Sequence, residues 1–354
     1  MTSHVLGGAF VPHAPQFFTM PETEDPATVG RVREVAGRIG GALAALEPDI
    51  WIVVANDHVN QFFLHCTPAF ALHTGAEVRG SFAGRDFRYE VASGTAHALI
   101  RHLQAEGFDP AFTSTAEIDY AFGIPLSHLG VDAPIVPIYA NAYVPPQPSM
   151  ERCYGFGQAL ARALAAIDVR AVVVASGGMS HFPGTERYSN PDLDFDKALL
   201  EPLSRGQLRT LLSLDEKRLD DTGNVELRCW AIGAGALGER VPDVVQLDPS
   251  WHHIYGSLGW FTPQPASVHS PHYPPVHAER VELTRILHLL SNSAAERARY
   301  VGDPGGYAAS AGLGADETEA LASLDMERMR ALGVHPMVPF LTRLQIDHER
   351  AKTA

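Results

Sequence analysis

Apolar runs alternate with helix-periodic segments along the first 260 residues of the chain. Residues 4–10 are largely apolar and predict a strand, and apolar residues at helical spacing predict a helix from Pro26 to Glu47. Residues 49–55 form a continuous apolar run, as expected of a strand that is buried on both faces of a parallel sheet. This order predicts a βαβ unit, whose two parallel strands end at the same edge of the sheet.

Further segments extend this order. Residues 61–91 mix aromatic and β-branched residues with glycines and predict a small antiparallel excursion, whereas residues 120–128, with Gly123 and Pro125, predict a loop. The other predicted strands are 135–139, 169–175 and 244–247, and the other predicted helices are 95–104, 154–166, 192–199 and one that begins after Asn224 and runs through Trp230 to Leu237. The predicted fold class is α/β, with a mostly parallel central sheet that is flanked by helices.

A proline-rich stretch, residues 262–275, separates two parts of different pattern. It contains five prolines and predicts a linker between a domain of residues 1–261 and a helical domain of residues 276–354. In the second part, residues 276–290 and 316–332 have helical patterns. A domain of this size cannot bury a large core alone, so we expect it to pack on the larger domain or on a partner chain.

The composition narrows the function classes. The chain is 45% hydrophobic and can form an ordinary core, while its formal net charge of −14 argues against binding to nucleic acid or to an anionic membrane. Its three cysteines include no CxxC pair, so we expect neither a disulfide framework nor a thiolate zinc site, and a cytoplasmic location fits. The pattern predicts no signal peptide and no transmembrane helix.

Three of the predicted strands end in a histidine. His13 follows the first strand in a loop that two flanking prolines stiffen, and His58 and His181 follow two later strands. If these strands are parallel, the three imidazoles emerge at one edge of the sheet, which is where α/β folds bind their ligands.

An acidic residue completes a possible metal-binding set. Asn224 predicts a helix N-cap, which puts Glu226 in the first turn of that helix, where an acid also favours the helix dipole. Two neutral imidazoles, from His13 and His58, and this carboxylate would leave coordination positions open on a metal, as non-haem Fe(II) requires. Imidazoles exchange protons near neutral pH, and His128 and His181 are the candidates for that role.

Residues 233–238 match the pattern Gly-x-Gly-x-x-Gly. The pattern lies within a predicted helix, whereas a dinucleotide-binding loop follows a strand and opens a helix. We therefore predict that these glycines permit close packing and that they bind no nucleotide.

Five segments along the chain contain the candidate residues and their neighbours. They are Val11-Pro12-His13-Ala14-Pro15, Asn56-Asp57-His58, Ile124-Pro125-Leu126-Ser127-His128, Ser176-Gly177-Gly178-Met179-Ser180-His181 and Asn224-Val225-Glu226-Leu227-Arg228-Cys229-Trp230. These segments resemble the class III (LigB-type) extradiol ring-cleaving dioxygenases, and they occur in the order found in that family. The closest type is the protocatechuate 4,5-dioxygenase family, and the chain is similar to gallate dioxygenase in joining β- and α-subunit-like parts. In the tail, Gly312-Leu313 and Gly333-Val334-His335-Pro336 resemble the α-subunit.

The resemblance implies a role for each matched residue. His13, His58 and Glu226 would ligate Fe(II), His181 would be the base that deprotonates an aromatic diol, and His128 would hydrogen-bond substrate or oxygen and act as an acid. The substrates would be a small aromatic diol and O2, and the ring would open next to the diol. Residues 1–261 would be the catalytic domain, and the helical part would cover the active site or form the contact of a homodimer.

Three further residues are weaker candidates for substrate contact. Asp57 either orients the neighbouring ligand or caps a turn, and His253 and Tyr255 are predicted to line the pocket. Residues 250–256 lack the Tyr-His-x-Pro run expected of the family before a carboxylate-binding loop. Another catechol, or a dihydroxylated heteroaromatic compound such as a pyridinediol, is therefore also a candidate substrate.

Two other functions use the same residues. The histidines would also suit a Zn(II) hydrolase, and a protein of the same fold can be a non-catalytic binding protein. The dioxygenase is favoured over the binding protein because His128 and His181 come in addition to the ligand set. It is favoured over the hydrolase because the ligand set comes together with the α-subunit-like tail.

Overall fold

The computed structural model describes residues 4–263, 273 and 276–353 of the 354-residue chain. The chain divides into two compact units, Met1–Ser267 and Val268–Ala354. Most of the predicted linker 262–275 lies outside the described residues. No helix in the described ranges has both the length and the apolar character needed to cross a membrane.

A large sheet forms the centre of the first unit. Its strands and those of a separate hairpin are β1 (Val5–Val11), β2 (Ile50–Asn56), β3 (Phe70–His73), β4 (Glu77–Phe82), β5 (Arg85–Glu90), β6 (Ala111–Thr113), β7 (Ile135–Ala140), β8 (Ala171–Ser176), β9 (Val244–Pro249) and β10 (Ile254–Trp260). Eight of them join in the order β6-β3-β7-β2-β8-β1-β10-β9, and β4 and β5 form the hairpin. The predicted antiparallel excursion contains this hairpin.

The four central strands, β7, β2, β8 and β1, are parallel, whereas β3 and β10 pair antiparallel at either side of them. The predicted fold class, α/β with a mostly parallel sheet, is confirmed. The carboxyl ends of β1, β2, β7 and β8 consequently share one edge of the sheet. The first residue of β10 lies at this same edge, because β10 runs in the opposite direction.

Helices cover both faces of the sheet. They are α1 (Gln16–Thr19), α2 (Pro26–Ala44), α3 (Ser93–Ala105), α4 (Tyr120–Leu129), α5 (Met150–Ala166), α6 (Leu193–Ser204), α7 (Glu216–Thr222) and α8 (Leu227–Leu237). Successive residues of β2 face alternate cores: Ile52 and Val54 pack in the cluster that contains α5 and α8, and Val53 and Ala55 in the cluster that contains α2 and α4. This alternation explains why β2 is apolar throughout.

The Gly-x-Gly-x-x-Gly pattern lies in α8 and its C-cap. A Cβ atom on Gly235 would come within 2.0 Å of the Tyr154 carbonyl oxygen in α5. A Cβ atom on Gly157 of α5 would likewise come within 1.9 Å of the Ile232 carbonyl oxygen in α8. These glycines therefore let two helix backbones pack closely.

The prediction of a loop over residues 120–128 is wrong, because these residues form α4. The Asp119 carboxylate caps the helix by accepting a hydrogen bond from the Ala121 N–H, and Gly130 ends it in the left-handed region (φ 66°). Pro125 lies inside the helix and leaves it intact, although proline there removes one backbone hydrogen bond. The Ala121 carbonyl, which loses this hydrogen bond, accepts one from the Ser176 hydroxyl of β8 instead.

The second unit is helical, as predicted, and has its own apolar core. Its helices are α9 (Val281–Asn292), α10 (Ala294–Gly302), α11 (Pro304–Ala309), α12 (Ala315–Ser323), α13 (Met326–Ala331) and α14 (Met337–Thr353). The single helix predicted over residues 316–332 is divided in two. Leu324 adopts a left-handed conformation (φ 50°) and Asp325 caps the next helix, so the chain turns there.

Candidate metal centre and active-site cavity

Side chains of several elements converge at the carboxyl edge of the central strands. His13, His58, Tyr143 and His181 follow the ends of β1, β2, β7 and β8, and Glu226 precedes the first residue of α8. The Glu226 side chain caps no backbone N–H of the helix. The predicted capping by the Asn224 side chain is also absent, because its Oδ1 atom accepts no hydrogen bond, while its amide nitrogen donates to Asp196 and Thr222.

His13, His58 and Glu226 form the tightest cluster at this edge. One ligand atom from each lies within 4.8 Å of the others. The Glu226 Oε1 atom is 3.1 Å from Nε2 of His13 and 3.5 Å from Nε2 of His58. Glu226 is completely buried and His13 nearly so, while the His58 side chain remains 19% exposed toward the cavity. The structure thus brings the three sequence-predicted ligands together.

A chain of hydrogen bonds sets the orientation of His13. Pro125 has no N–H to offer the Ala121 carbonyl, so the Ser176 hydroxyl donates to that carbonyl at 2.6 Å. The same hydroxyl lies 2.8 Å from Nδ1 of His13, and with its only hydrogen already used it accepts from this nitrogen. His13 therefore carries its proton on Nδ1 and turns the Nε2 lone pair toward Glu226.

Asp119 holds His58 in the same manner. Its Oδ2 atom accepts from the backbone N–H of His58 at 3.1 Å and from Nδ1 at 2.9 Å, while Oδ1 caps α4. Burial lowers the pKa of His58, but the hydrogen bonds to Asp119 and Glu226 outweigh it and raise the pKa to about 9. Without a metal, a proton thus resides between the His58 ring and the Glu226 carboxylate.

The donor set fits a divalent metal ion. Two imidazole Nε2 atoms lie 3.1 and 3.5 Å from one carboxylate oxygen, which is the spacing of neighbouring ligand atoms on one ion. Their Nδ1 atoms are held by a hydroxyl and a carboxylate, as is usual for histidines that bind metals. The second carboxylate oxygen of Glu226 accepts from the Gly178 N–H at 2.5 Å, which leaves Oε1 for the ion.

His181 stands beside the three ligands with one nitrogen available. Its Nδ1 lies 2.8 Å from the Met179 carbonyl oxygen and donates to it, so Nε2 carries a lone pair. The Tyr143 hydroxyl is 3.0 Å from this Nε2 and 3.0 Å from Glu226 Oε1, and it shares one hydrogen between the two. An imidazole with a free lone pair next to a metal can take a proton from a ligand on that metal.

His253 supports the His181 ring from behind. The two rings stack with centroids 4.1 Å apart and planes 9° apart, and their backbones form a β-bridge. A Cβ atom on Gly178 would lie 1.9 Å from His253 Nε2, so the close approach needs glycine at this position. The bridge and the stacking together fix where His181 points.

A cavity of about 80 Å³ opens above these residues. His13, His58, His181, Tyr143 and Tyr120 line it, with the Tyr120 ring stacked on His58 at 4.3 Å. Gln16, Tyr188 and His252 form a further part of the lining, and His253 reaches the cavity beside His181. The cavity is therefore small, and it admits a compact ligand.

The structure does not bring His128 into this cavity. Tyr120 and His128 are eight residues apart in α4, which separates them by about 12 Å along the helix, and Tyr120 is at the cavity end. The His128 ring packs against Phe17 and Phe18 instead. Burial, with the nearby Arg33 and Arg85, lowers its pKa to about 4.

Two of the weaker candidates also lie elsewhere. The Asp57 carboxylate accepts from the backbone N–H groups of residues 60–62, so it caps a turn, and Asp119 is the residue that orients His58. Tyr255 is fully buried behind the cavity wall, where its hydroxyl donates to Glu24. Of these candidates, His253 is the one that lines the cavity.

Asp196 joins the two loops that carry His181 and Glu226. Its buried carboxylate accepts from the Ser180 N–H at 2.8 Å and from the Asn224 side-chain amide at 3.0 Å. Burial raises the pKa of Asp196 to about 7, although both donors favour the ionised form.

We expect Asp196 to make the protein less stable as the pH rises. A carboxyl group whose pKa is raised in the folded state stays protonated there to a higher pH than in the unfolded state. Its contribution to the free energy of unfolding is complete below the unfolded pKa and is lost between pH 4 and about 7. In urea denaturation over this range, wild type should lose stability relative to Asp196→Asn, by at most ~1.4 kcal/mol per pH unit. The exposed Asp194→Asn variant is the control, and an unchanged difference between wild type and Asp196→Asn would contradict the assignment.

Comparisons with known proteins identify the family of this chain. Residues 7–258 match the family described as the catalytic LigB subunit of aromatic ring-opening dioxygenase. A 2,3-dihydroxyphenylpropionate/2,3-dihydroxycinnamic acid 1,2-dioxygenase of Paraburkholderia phymatum is 28% identical over 67% of this chain and 91% of its own length. An enzyme of the same name from Klebsiella pneumoniae is 33% identical over 47% of this chain and 55% of its own length.

One solved structure has the same fold. It is an uncharacterized protein, JW3007, from Escherichia coli K12, and the TM-score is 0.51 at 15% identity. The similarity covers 72% of this chain and 99% of that one, and it supports the fold alone.

The protein is thus an aromatic ring-cleaving dioxygenase of the extradiol class. The chain belongs to the family of the catalytic LigB subunit, since the matched residues make up most of its length. Enzymes of this family depend on a metal, and His13, His58 and Glu226 are the candidate metal site. The activity implies an aromatic substrate and O2 as co-substrate.

Sequence reasoning missed several residues at the site. Tyr143 lies three residues after β7, so the rule that identified His13 and His58 would also have found it. Tyr120, Asp119 and Ser176 carry no such signal, because their roles depend on α4 packing against the sheet.

Proposed function

We propose that this chain is an Fe(II)-dependent extradiol dioxygenase in which His13, His58 and Glu226 hold the metal. The observation that carries the proposal is the convergence of two Nε2 lone pairs and one carboxylate oxygen, each fixed from behind by a separate hydrogen bond. A two-histidine, one-carboxylate set on one face of the ion leaves positions for a diol and dioxygen. When bound, Fe(II) supplies the redox chemistry that lets dioxygen react with an aromatic ring.

His181 then acts as the base for the diol. Its Nε2 lone pair faces the same carboxylate oxygen as the ligands, at 3.7 Å, so a hydroxyl bound at the metal position lies within reach. The Tyr143 hydroxyl can donate to either His181 or Glu226, and it adjusts as His181 gains and releases the proton. Stacking on His253 keeps the ring from turning away.

The rest of the cavity orients the ring and limits water. Tyr120 presents an aromatic face on His58, which favours a flat ring alongside it. We assign no substrate contact to His128, Asp57 or Tyr255, because they lie outside the cavity. The relatives named above act on 2,3-dihydroxyphenylpropionate, and we propose a single-ring aromatic diol here. The predicted homodimer and cytoplasmic location stay predictions.

The proposal is tested with protein loaded with Fe(II) under anaerobic conditions. Addition of O2 with catechols, gallate or pyridinediols should give stoichiometric O2 uptake and a ring-opened chromophore for at least one compound. Zn(II)-loaded protein is the matched control and should be inactive, since zinc has no accessible redox change. No uptake by Fe(II)-loaded protein across the panel would refute the proposal.

A further inference from the structure

One wall of the cavity, formed by Gln16, Tyr188 and His252, is built around a buried carboxylate, Glu24. This residue precedes α2 and is 4% exposed. Its Oε1 atom accepts from the Ser250 hydroxyl at 2.9 Å and the Tyr255 hydroxyl at 3.1 Å, and its Oε2 atom from His252 Nε2 at 3.0 Å. Neither Arg nor Lys is among these partners, so the charge of Glu24 is stabilised by dipoles alone.

His252 transmits this arrangement to the cavity surface. It lines the cavity while donating from Nε2 to Glu24, and the Tyr188 ring stacks on it at 5.2 Å. Burial lowers the pKa of His252, and the bond to Glu24 opposes this. His252 therefore presents a neutral imidazole to the substrate, with a negative charge directly behind it.

Gln16 supplies a neutral polar group on the same wall. Its amide nitrogen donates to the Tyr188 hydroxyl at 3.1 Å, whereas its amide oxygen is buried without a hydrogen-bond partner. A buried polar atom of this kind needs a partner, and a group on the bound ligand can provide it. If the amide were turned over, its free arm would be a donor and equally uncharged.

No residue of this wall can neutralise an anionic substituent. Among the described residues that line the cavity, none is a lysine or an arginine. Recognition of a carboxylate usually employs a cation, most often arginine in a bidentate pair. A ring carboxylate here would lie in a small cavity beside His252, with the Glu24 carboxylate directly behind that ring.

We propose that this cavity selects aromatic diols whose further substituent is polar and uncharged, and that Glu24 excludes carboxylated diols. The substituent would be read by Gln16, with His252 and Tyr188 beside it. This inference rests on the proposed function and goes beyond it by naming the substrate class. It also separates this chain from its named relatives, whose substrates are carboxylic acids.

Matched pairs of acid and amide test the proposal on the wild-type protein. One pair is 3,4-dihydroxybenzoate and 3,4-dihydroxybenzamide. The other is 3-(2,3-dihydroxyphenyl)propionate and the corresponding propionamide. In this second pair, two saturated carbons separate the carboxylate or amide from the ring, so the charge of the acid has little effect on the acidity of the diol. We expect the amide to exceed the acid by at least ~10-fold both in kcat/KM and in anaerobic affinity by calorimetry, because like charges in a small cavity repel strongly. Equal or stronger binding of the acids, or no binding by either member of each pair, would overturn the inference.

Turnover tests the proposed function and the ratio of affinities tests the inference, so the two can fail separately. If the Fe(II)-loaded protein consumes O2 with the acids as readily as with the amides, the proposed function stands and the inference falls. If neither these pairs nor the catechol, gallate and pyridinediol panel supports turnover, the proposed function is refuted, and the ratio of anaerobic affinities still decides whether the cavity rejects a carboxylate.

Variants assign the selectivity to Glu24. Glu24→Gln should improve affinity for the acids and leave the amides nearly unchanged, so that the ratio approaches one, whereas the exposed Glu22→Gln control keeps the wild-type ratio. Gln16→Arg places a cation on the wall and should reverse the preference, which provides a second test if Glu24→Gln folds poorly. A wild-type ratio in both Glu24→Gln and Gln16→Arg would overturn the assignment.

Discussion

Replacing Glu226 by glutamine is expected to abolish ring cleavage by removing the metal. Glutamine has the same shape but no charge, so the two Nε2 lone pairs would face an amide that cannot balance a divalent ion. We expect metal affinity to fall by more than ~100-fold, the upper end of what outer-shell substitutions cost, and turnover to fall below detection. Metal content by elemental analysis after anaerobic loading, together with O2 uptake, measures both effects.

The control for this variant is Glu216→Gln, an exposed glutamate in the first turn of α7. It should keep full metal content and activity. The metal-free Glu226→Gln protein should unfold at a lower temperature than the metal-free wild type, because the substitution removes the buried partner of a protonated His58. A Glu226→Gln protein that retains one tightly bound metal per chain would show that another residue is the third ligand.

The second large effect is expected for His181→Ala, which should keep its metal and lose turnover. A positioned base contributes about 10²- to 10⁴-fold, so kcat should fall within that range. The loss should be smaller at alkaline pH, where the diol ionises without help. Added imidazole should restore part of the rate, because the substitution leaves space beside His253.

Tyr143→Phe is the comparison variant for His181→Ala. It removes one hydrogen bond to His181 and one to Glu226 but leaves both side chains in place, so we expect a loss of about 10-fold or less. If His181→Ala loses the metal, His181 is a ligand and the assigned set is wrong. If it keeps both metal and rate, another group is the base.

The orientation of His13 illustrates how remote residues act at the site. Pro125 removes a helix hydrogen bond, the released Ala121 carbonyl takes the Ser176 hydroxyl, and Ser176 then accepts from His13. Each step follows from donor and acceptor counts. A proline inside α4, which suggested a loop in the sequence, thus has a structural reason at the metal centre.

The sequence by itself determined the α/β class and the edge at which the site lies. Apolar runs identify buried strands, and in a parallel sheet the residues that follow such strands meet at one edge. This pattern alone places His13, His58 and His181 together. Glu226 was found because an acid beside a helix start is local information. These features depend on short-range patterns, which a single sequence contains.

Only the tertiary structure decided which groups serve these residues. His128 looked equivalent to His181, but α4 is a helix and carries Tyr120 to the cavity, with His128 at its far end. Asp119, rather than the adjacent Asp57, holds His58, and Glu24 meets His252 from 228 residues away. Such pairings depend on how helices and loops pack against the sheet, and the spacing of residues along a chain does not encode them.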